Sequence, residues 1–151
     1  MRNPILFLVA FLGLAACDDC SFTSDNIQTV RVRFLKASDS TDTAIVFDAV
    51  FSELSTQDSL YKGVEEVSIF ELPLPTSLDN AEFIFWFSDS LETRDTIRFG
   101  YQVKAIPLPP DCGVDEEVSE LQILETTFDA AVLQTTTLTI DRTHDLEIFL
   151  E

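Results

Sequence analysis

Few residues of this chain could do covalent chemistry: three cysteines (Cys17, Cys20 and Cys112) and one histidine, His144, set among 27 carboxylates. A hydrolytic triad would have to run through His144. The chain has no Gly-x-Ser-x-Gly elbow to present a nucleophile and no His-Glu-x-x-His helix to hold zinc. His144 lies in Arg142-Thr143-His144-Asp145, just ahead of a terminal strand, where an exposed turn residue is expected. The pairs Glu65-Glu66 and Glu116-Glu117 could do acid–base work on a glycan, but neighbouring side chains on a strand point to opposite sides. Asp111, Asp115, Glu116 and Glu117 gather in one acidic segment and Asp39 and Asp42 in another, yet neither has the spacing of a calcium loop, so both read as solvated turns. We expect no enzyme, no catalytic residue, no metal and no cofactor.

The cysteines carry more information. Arg2 and the α-amine precede an apolar run from Ile5 to Leu14, which the small residues Ala15 and Ala16 close. This is the layout of a cleaved targeting segment, and the run is too short to span a bilayer. Leu14-Ala15-Ala16-Cys17 resembles the lipobox of bacterial lipoproteins, in which the cysteine is lipidated and becomes the mature N-terminus. The alternative is an ordinary secretory signal cleaved without lipid. The expected organisation is a signal at residues 1–16, a lipidated N-terminus and short tether at 17–28, and one domain at 29–151. One acyl chain anchors only marginally, at about 0.8 kcal/mol per buried methylene; the two or three chains of a lipoprotein cysteine would hold permanently.

With Cys17 lipidated, two thiols remain in an oxidising compartment, and a Cys20–Cys112 disulfide is expected. It would close a loop of roughly 90 residues and stabilise by about 4–5 kcal/mol in the chain-entropy model. It would also leave Asp18 and Asp19 as the only free tether, a reach of about 10 Å. The alternative is two free thiols, which a non-reducing peptide map would reveal; a two-cysteine metal site lacks supporting histidines.

Composition limits the partners. The net charge of −18 repels nucleic acid, while 46% hydrophobic residues and thirteen phenylalanines argue for a packed domain rather than disorder. Thr29 to Leu35 alternates, with Val30, Val32 and Phe34 on one face and Arg31 and Arg33 on the other. Ser38 to Thr43 is a turn cluster, Ala44 to Phe51 a strand, Ser52 to Lys62 a polar loop, and Val64 to Leu72 a strand with Val67 and Ile69 pointing one way. Glu82 to Ser88 sets Phe83, Phe85 and Phe87 against Ile84 and Trp86. Asp95 to Ile106 turns Ile97, Phe99, Tyr101 and Val103 inward, with Gly100 marking a bulge or a close approach. Val118 to Phe128, Thr135 to Ile140 and Leu146 to Leu150 complete seven or eight strands. The expected fold is an all-β, antiparallel sandwich, Ig-like or similar.

Binding surfaces are the remaining candidates. If the phenylalanines fill the core, Ile84 and Trp86 look outward, an apolar pair suited to a glycan or small ligand. The competing expectation is that a neighbouring element covers this strand on both sides. Tyr61 and Tyr101 are poorer candidates. Arg31, Arg33 and Lys36 form the only basic cluster; they could read an anionic partner, but pairing with carboxylates on neighbouring strands or guarding a sheet edge from association is their expected role.

With these residues located, the mature chain resembles the small lipoproteins of Bacteroidota that carry a domain of unknown function. The likeness rests on Cys17-Asp18-Asp19-Cys20, on a Val30-Arg31-Val32-Arg33-Phe34 strand, and on Asp95-Thr96-Ile97-Arg98-Phe99-Gly100-Tyr101 leading to Cys112-Gly113. The terminal strand Leu146-Glu147-Ile148-Phe149-Leu150 completes it. The resemblance implies a cell-envelope protein with the cysteine pair, and in that family acidic residues after the cysteine resemble surface-export signals, so the outer membrane is expected, facing either the periplasm or the outside; an envelope protein or a glycan is the expected partner on our reading of the residues. The resemblance brings no activity.

Overall fold

A computed structural model describes residues 28–52, 59–87, 94–107, 114–139 and 143–150. Cys17, Cys20, Cys112 and Asp111 lie outside the described residues, as does the 1–16 segment. Among the described residues the protein is all-β. The strands are β1 (Thr29–Lys36), β2 (Ile45–Ser52), β3 (Tyr61–Val67), β4 (Ile69–Pro73), β5 (Asn80–Phe87), β6 (Arg94–Pro107), β7 (Val114–Thr126), β8 (Ala130–Leu133) and β9 (Leu146–Leu150). They form a four-stranded sheet ordered β4-β1-β9-β8 and a five-stranded sheet ordered β3-β2-β5-β6-β7.

Period-2 alternation builds the sandwich. From the four-stranded sheet Val30, Val32, Phe34, Phe70, Leu72, Leu146 and Ile148 turn inward; Phe47, Val50, Phe83, Phe85, Ile97 and Phe99 meet them from the other sheet, in one core. Phenylalanines cross the interface edge-on: Phe34 lies 6.0 Å from Phe47 and 6.3 Å from Phe85, and Phe70 lies 5.3 Å from Phe47. These T-shaped contacts add about 1 kcal/mol each to the area they bury.

Three strand assignments need correction. Val64 to Leu72 is not one strand. It breaks at Ser68 and changes sheets, so Val67 packs against the core while Ile69, at 49% exposure, faces solvent. Thr135 to Ile140 is not a strand over its described part. β8 forms earlier, at Ala130–Leu133, and Leu138 is buried by a backbone bond from its N–H to the Val118 carbonyl at 3.0 Å. The antiparallel expectation fails at one pair, since β1 and β9 run parallel, Val32 opposite Leu146 to Lys36 opposite Leu150. This places the first strand of the domain in the middle of its sheet, with ladders on both sides.

Asp145 secures that parallel pair. It is the only fully buried charged side chain among the described residues. Its Oδ2 accepts from the Arg31 N–H at 2.8 Å, and its own N–H donates to the Arg31 carbonyl at 2.8 Å. The carboxylate thus enters a strand junction, where buried polar groups must be hydrogen-bonded.

Candidate functional site

The two outward faces of the sandwich differ. On the four-stranded sheet the charges are engaged with one another. Arg31 Nε donates to Glu71 Oε1 at 2.9 Å; Arg33 Nε meets Asp42 at 2.5 Å, and its Nη1 lies 3.7 Å from Glu147. The hydrogen bond from Arg33 holds the Asp42 carboxyl below its usual range, and Asp42 in turn raises the Arg33 guanidinium. The expected strand-to-strand pairing of Arg31 and Arg33 is what the fold shows.

His144 joins this network. Its Nε2 is 3.1 Å from Glu147 Oε1, and its Nδ1 is 3.1 Å from Thr143 Oγ1. With 19% of its side chain exposed it is half-buried, not the exposed turn residue expected. The Thr143–His144–Glu147 string has the outline of a triad. However, Glu147 also faces Arg33 and accepts from Gln134 Nε2 at 2.7 Å, and none of the depressions described below reaches it.

The acidic segments are likewise placed. Asp115, Glu116 and Glu117 lie within β7 rather than in a loop, so the strand directs them to alternating sides. The Thr41 hydroxyl and N–H both donate to Asp39, which lowers its carboxyl. Among the described residues no group of three His, Cys, Asp or Glu side chains is placed to hold a metal ion.

The outward face of the five-stranded sheet carries concavities. Strand alternation does turn Ile84 and Trp86 away from the core, and both are half-buried. Trp86 does not stand alone. Phe51 on β2 lies 6.2 Å from its ring, and the Arg94 guanidinium sits 4.6 Å over it. The four residues line a shallow depression of about 300 Å³. The Trp86 indole N–H is shielded from solvent and has no acceptor among the described residues. Sequence reasoning missed Phe51 and Arg94. The pairings Phe51 opposite Ile84 and Arg94 opposite Trp86 only appear once β2, β5 and β6 are in register.

Lower on the same face, Gly100 sits opposite Asn80 on one side and Gln122 on the other. The β6–β7 ladder slips twice here, between Arg98 and Phe99 and again between Gly100 and Gln102, so β7 holds an extra residue on each side of Gly100. At one bulge Glu120 adopts φ +52°, a left-handed conformation costly for a side chain. The bulge shifts the alternation by one, so both Val118 and Leu121 are buried. The result is a depression of about 510 Å³ around Gly100, rimmed by side-chain amides. Gly100, expected to mark a bulge or a close backbone approach, is itself regularly paired; the bulges lie opposite, in β7, and the close approach is by side chains. A Cβ on Gly100 would come within 3.1 Å of the Leu124 methyls and 3.2 Å of Gln122 Nε2.

Tyr61 and Tyr101 face inward, as expected of Tyr101. The Tyr101 hydroxyl donates to the Pro75 carbonyl at 2.7 Å, and burial pushes its pKa to about 12. Burial also raises Tyr61, whose hydroxyl donates to the Glu71 carbonyl at 3.0 Å. A third concavity, of about 680 Å³, opens at the end of the sandwich between Lys36, Ile45 and Leu150. Comparison with protein-family models, with curated proteins and with solved structures returned no match.

Proposed function

We propose that this protein is a lipid-anchored, non-enzymatic binding module of the bacterial cell envelope, held in the outer membrane through Cys17. In this reading it meets an envelope protein with the outward face of its five-stranded sheet. The sequence support is the Leu14-Ala15-Ala16-Cys17 lipobox and the resemblance to Bacteroidota lipoproteins. One structural observation carries the geometry: the chain coming from Cys17 enters the domain at a fixed point. The Gln28 carbonyl accepts from the Leu74 N–H at 2.6 Å, and Gln28 Nε2 donates to Glu116 Oε2 at 3.2 Å. Glu116 lies four residues past Cys112, so this contact favours the proposed Cys20–Cys112 disulfide. β6 then ends and β7 begins near the membrane, and the Trp86 end of the sheet, where β6 starts at Arg94, points away from it.

Fractionation of the envelope tests the anchor. Wild-type protein should sediment with the outer membrane, and Cys17→Ala should move it to the soluble fraction. A soluble wild type, or a Cys17→Ala protein that stays with the membrane, contradicts the reading.

A second reading has support in the half-buried Ile84 and Trp86: a glycan- or small-ligand-binding module with Trp86 as its platform. Arg94 already covers one face of that ring, so a ligand must displace it or use the Phe51–Ile84 side. Trp86 is the only tryptophan, and its fluorescence should respond to a ligand that stacks there. No response across an oligosaccharide panel contradicts the platform.

A further inference from the structure

We infer that the depression around Gly100 is a binding site for a neutral saccharide, distinct from the Trp86 platform. The inference rests on the binding-module reading but not on the lipid anchor.

The geometry is built for the purpose. β6 supplies the one residue without a side chain at the floor, and β7 takes a bulge on each side of it. Bulges re-aim side chains and gather at sites for that reason. Here they lean Leu124 and Gln122 across Gly100 and swing Glu120 out of the regular pleat, at the cost of its positive φ. The missing side chain of Gly100 makes room for Leu124 and Gln122, which form the floor over it.

The chemistry of the rim selects the ligand class. Asn80 donates one amide hydrogen to Asp79 at 2.7 Å and Gln102 one to Glu120 at 2.5 Å, which fixes both amides and leaves each a carbonyl acceptor and a second N–H; Gln122 adds another amide. A vicinal diol both donates and accepts, and so matches such groups. Arg98 adds donors, and the half-exposed Leu124 adds an apolar surface for the C–H face of a sugar ring. Other ligands fit less well. An anion would meet Asp79 and Glu120 on the rim and the field of a chain at −18. A cation would meet the Arg98 guanidinium, and an apolar ligand would bury amides without partners. From the Gly100 level to Trp86 is six residues along β5, about 20 Å. A ligand confined to the Gly100 site therefore leaves the tryptophan untouched.

The test uses the purified full-length protein on an array of neutral and acidic oligosaccharides and peptides, followed by calorimetric titration of whatever binds. The expected result is binding confined to neutral saccharides, weakened at least tenfold by Gln102→Ala and by Gln122→Ala. Gly100→Ala should weaken it as well, by pushing Leu124 and Gln122 out of place. Arg33→Ala, on the opposite sheet, should leave it unchanged. Both glutamines are on the surface, so their variants keep the test decisive if Gly100→Ala fails to fold. Binding only to acidic glycans or to peptides, binding that survives both glutamine substitutions while shifting Trp86 emission, or no binding at all overturns the inference. Each of these results leaves the Cys17 fractionation experiment to decide the anchor separately.

Discussion

The outward faces of the two sheets differ in the regularity of the ladders beneath them. On the four-stranded sheet Arg31, Arg33, Glu71, Glu147 and His144 satisfy one another across neighbouring strands, and the ladder is regular. On the five-stranded sheet the ladder is interrupted by two bulges, a backbone residue sits in a left-handed conformation, and amides surround a hollow. Side chains pair on both faces, Gln102 with Glu120 and Asn80 with Asp79 on the five-stranded one, but there the irregular ladder sets the paired groups around a hollow. An irregular ladder is kept only where the irregularity serves something, because each deviation costs stability. This contrast is why we place recognition on the five-stranded sheet.

Mutations can break or sharpen the contrast. The largest effect belongs to the core that both faces share. Phe85 meets Phe34 and Phe70 across the interface and Phe47 on the neighbouring strand, and Phe85→Ala should cost about 4 kcal/mol by chemical denaturation, with loss of both faces together. Asp145→Ala strips the acceptor from the buried Arg31 N–H and should cost about 2 kcal/mol. Hydrogen exchange should rise in β1 and β9 before β6 and β7; a uniform rise would mean that the two sheets do not open separately.

Tyr101 gives the contrast a pH signature. Its pKa is about 10 in an unfolded chain and about 12 when folded. A raised folded pKa means that the stabilisation is fully present below pH 10 and is lost as pH rises from about 10 to 12. Tyr101→Phe should cost about 1 kcal/mol at neutral pH through the lost bond to Pro75 and flatten that alkaline limb. A limb of unchanged steepness would show that another group causes it.

Two smaller effects have opposite signs. Glu120→Gly relieves the left-handed strain and should raise stability by up to about 1 kcal/mol while removing a rim carboxylate from the Gly100 site. A decrease would show that the bulge is not strained. Arg31→Ala should cost only about 0.5 kcal/mol, less in high salt, because its pair with Glu71 is partly solvated.

Much of this was legible in the sequence, and the reasons are physical. Alternation over Thr29–Leu35, Glu82–Ser88 and Asp95–Ile106 reports burial directly, since one face of each strand must be apolar. Val30, Phe83, Phe85, Ile97 and Phe99 are buried as the pattern requires. The strand break at Ser68 was not legible, because Val67, Ile69 and Phe70 are all good strand formers and only the change of sheet separates them. The parallel β1–β9 pair was not legible either, since strand direction depends on topology and not on local pattern. In the site, Gly100 announced an irregularity, but its neighbours Asn80, Gln102 and Gln122 come from three strands. Polar residues on outward positions look alike until register brings them to one hollow. The Trp86–Arg94 stack has the same origin.

Amide chemical-shift mapping decides whether the five-stranded sheet is the recognition face and the Gly100 depression its saccharide site. The isotopically labelled protein would be titrated with a panel of neutral oligosaccharides. Shifts are expected to concentrate in β5, β6 and β7 around Asn80, Gly100 and Gln122, with β1, β4 and β9 unmoved. Shifts centred on Arg31, Arg33 and Glu147 would overturn the recognition face, and no shifts with any member of the panel would overturn the saccharide site.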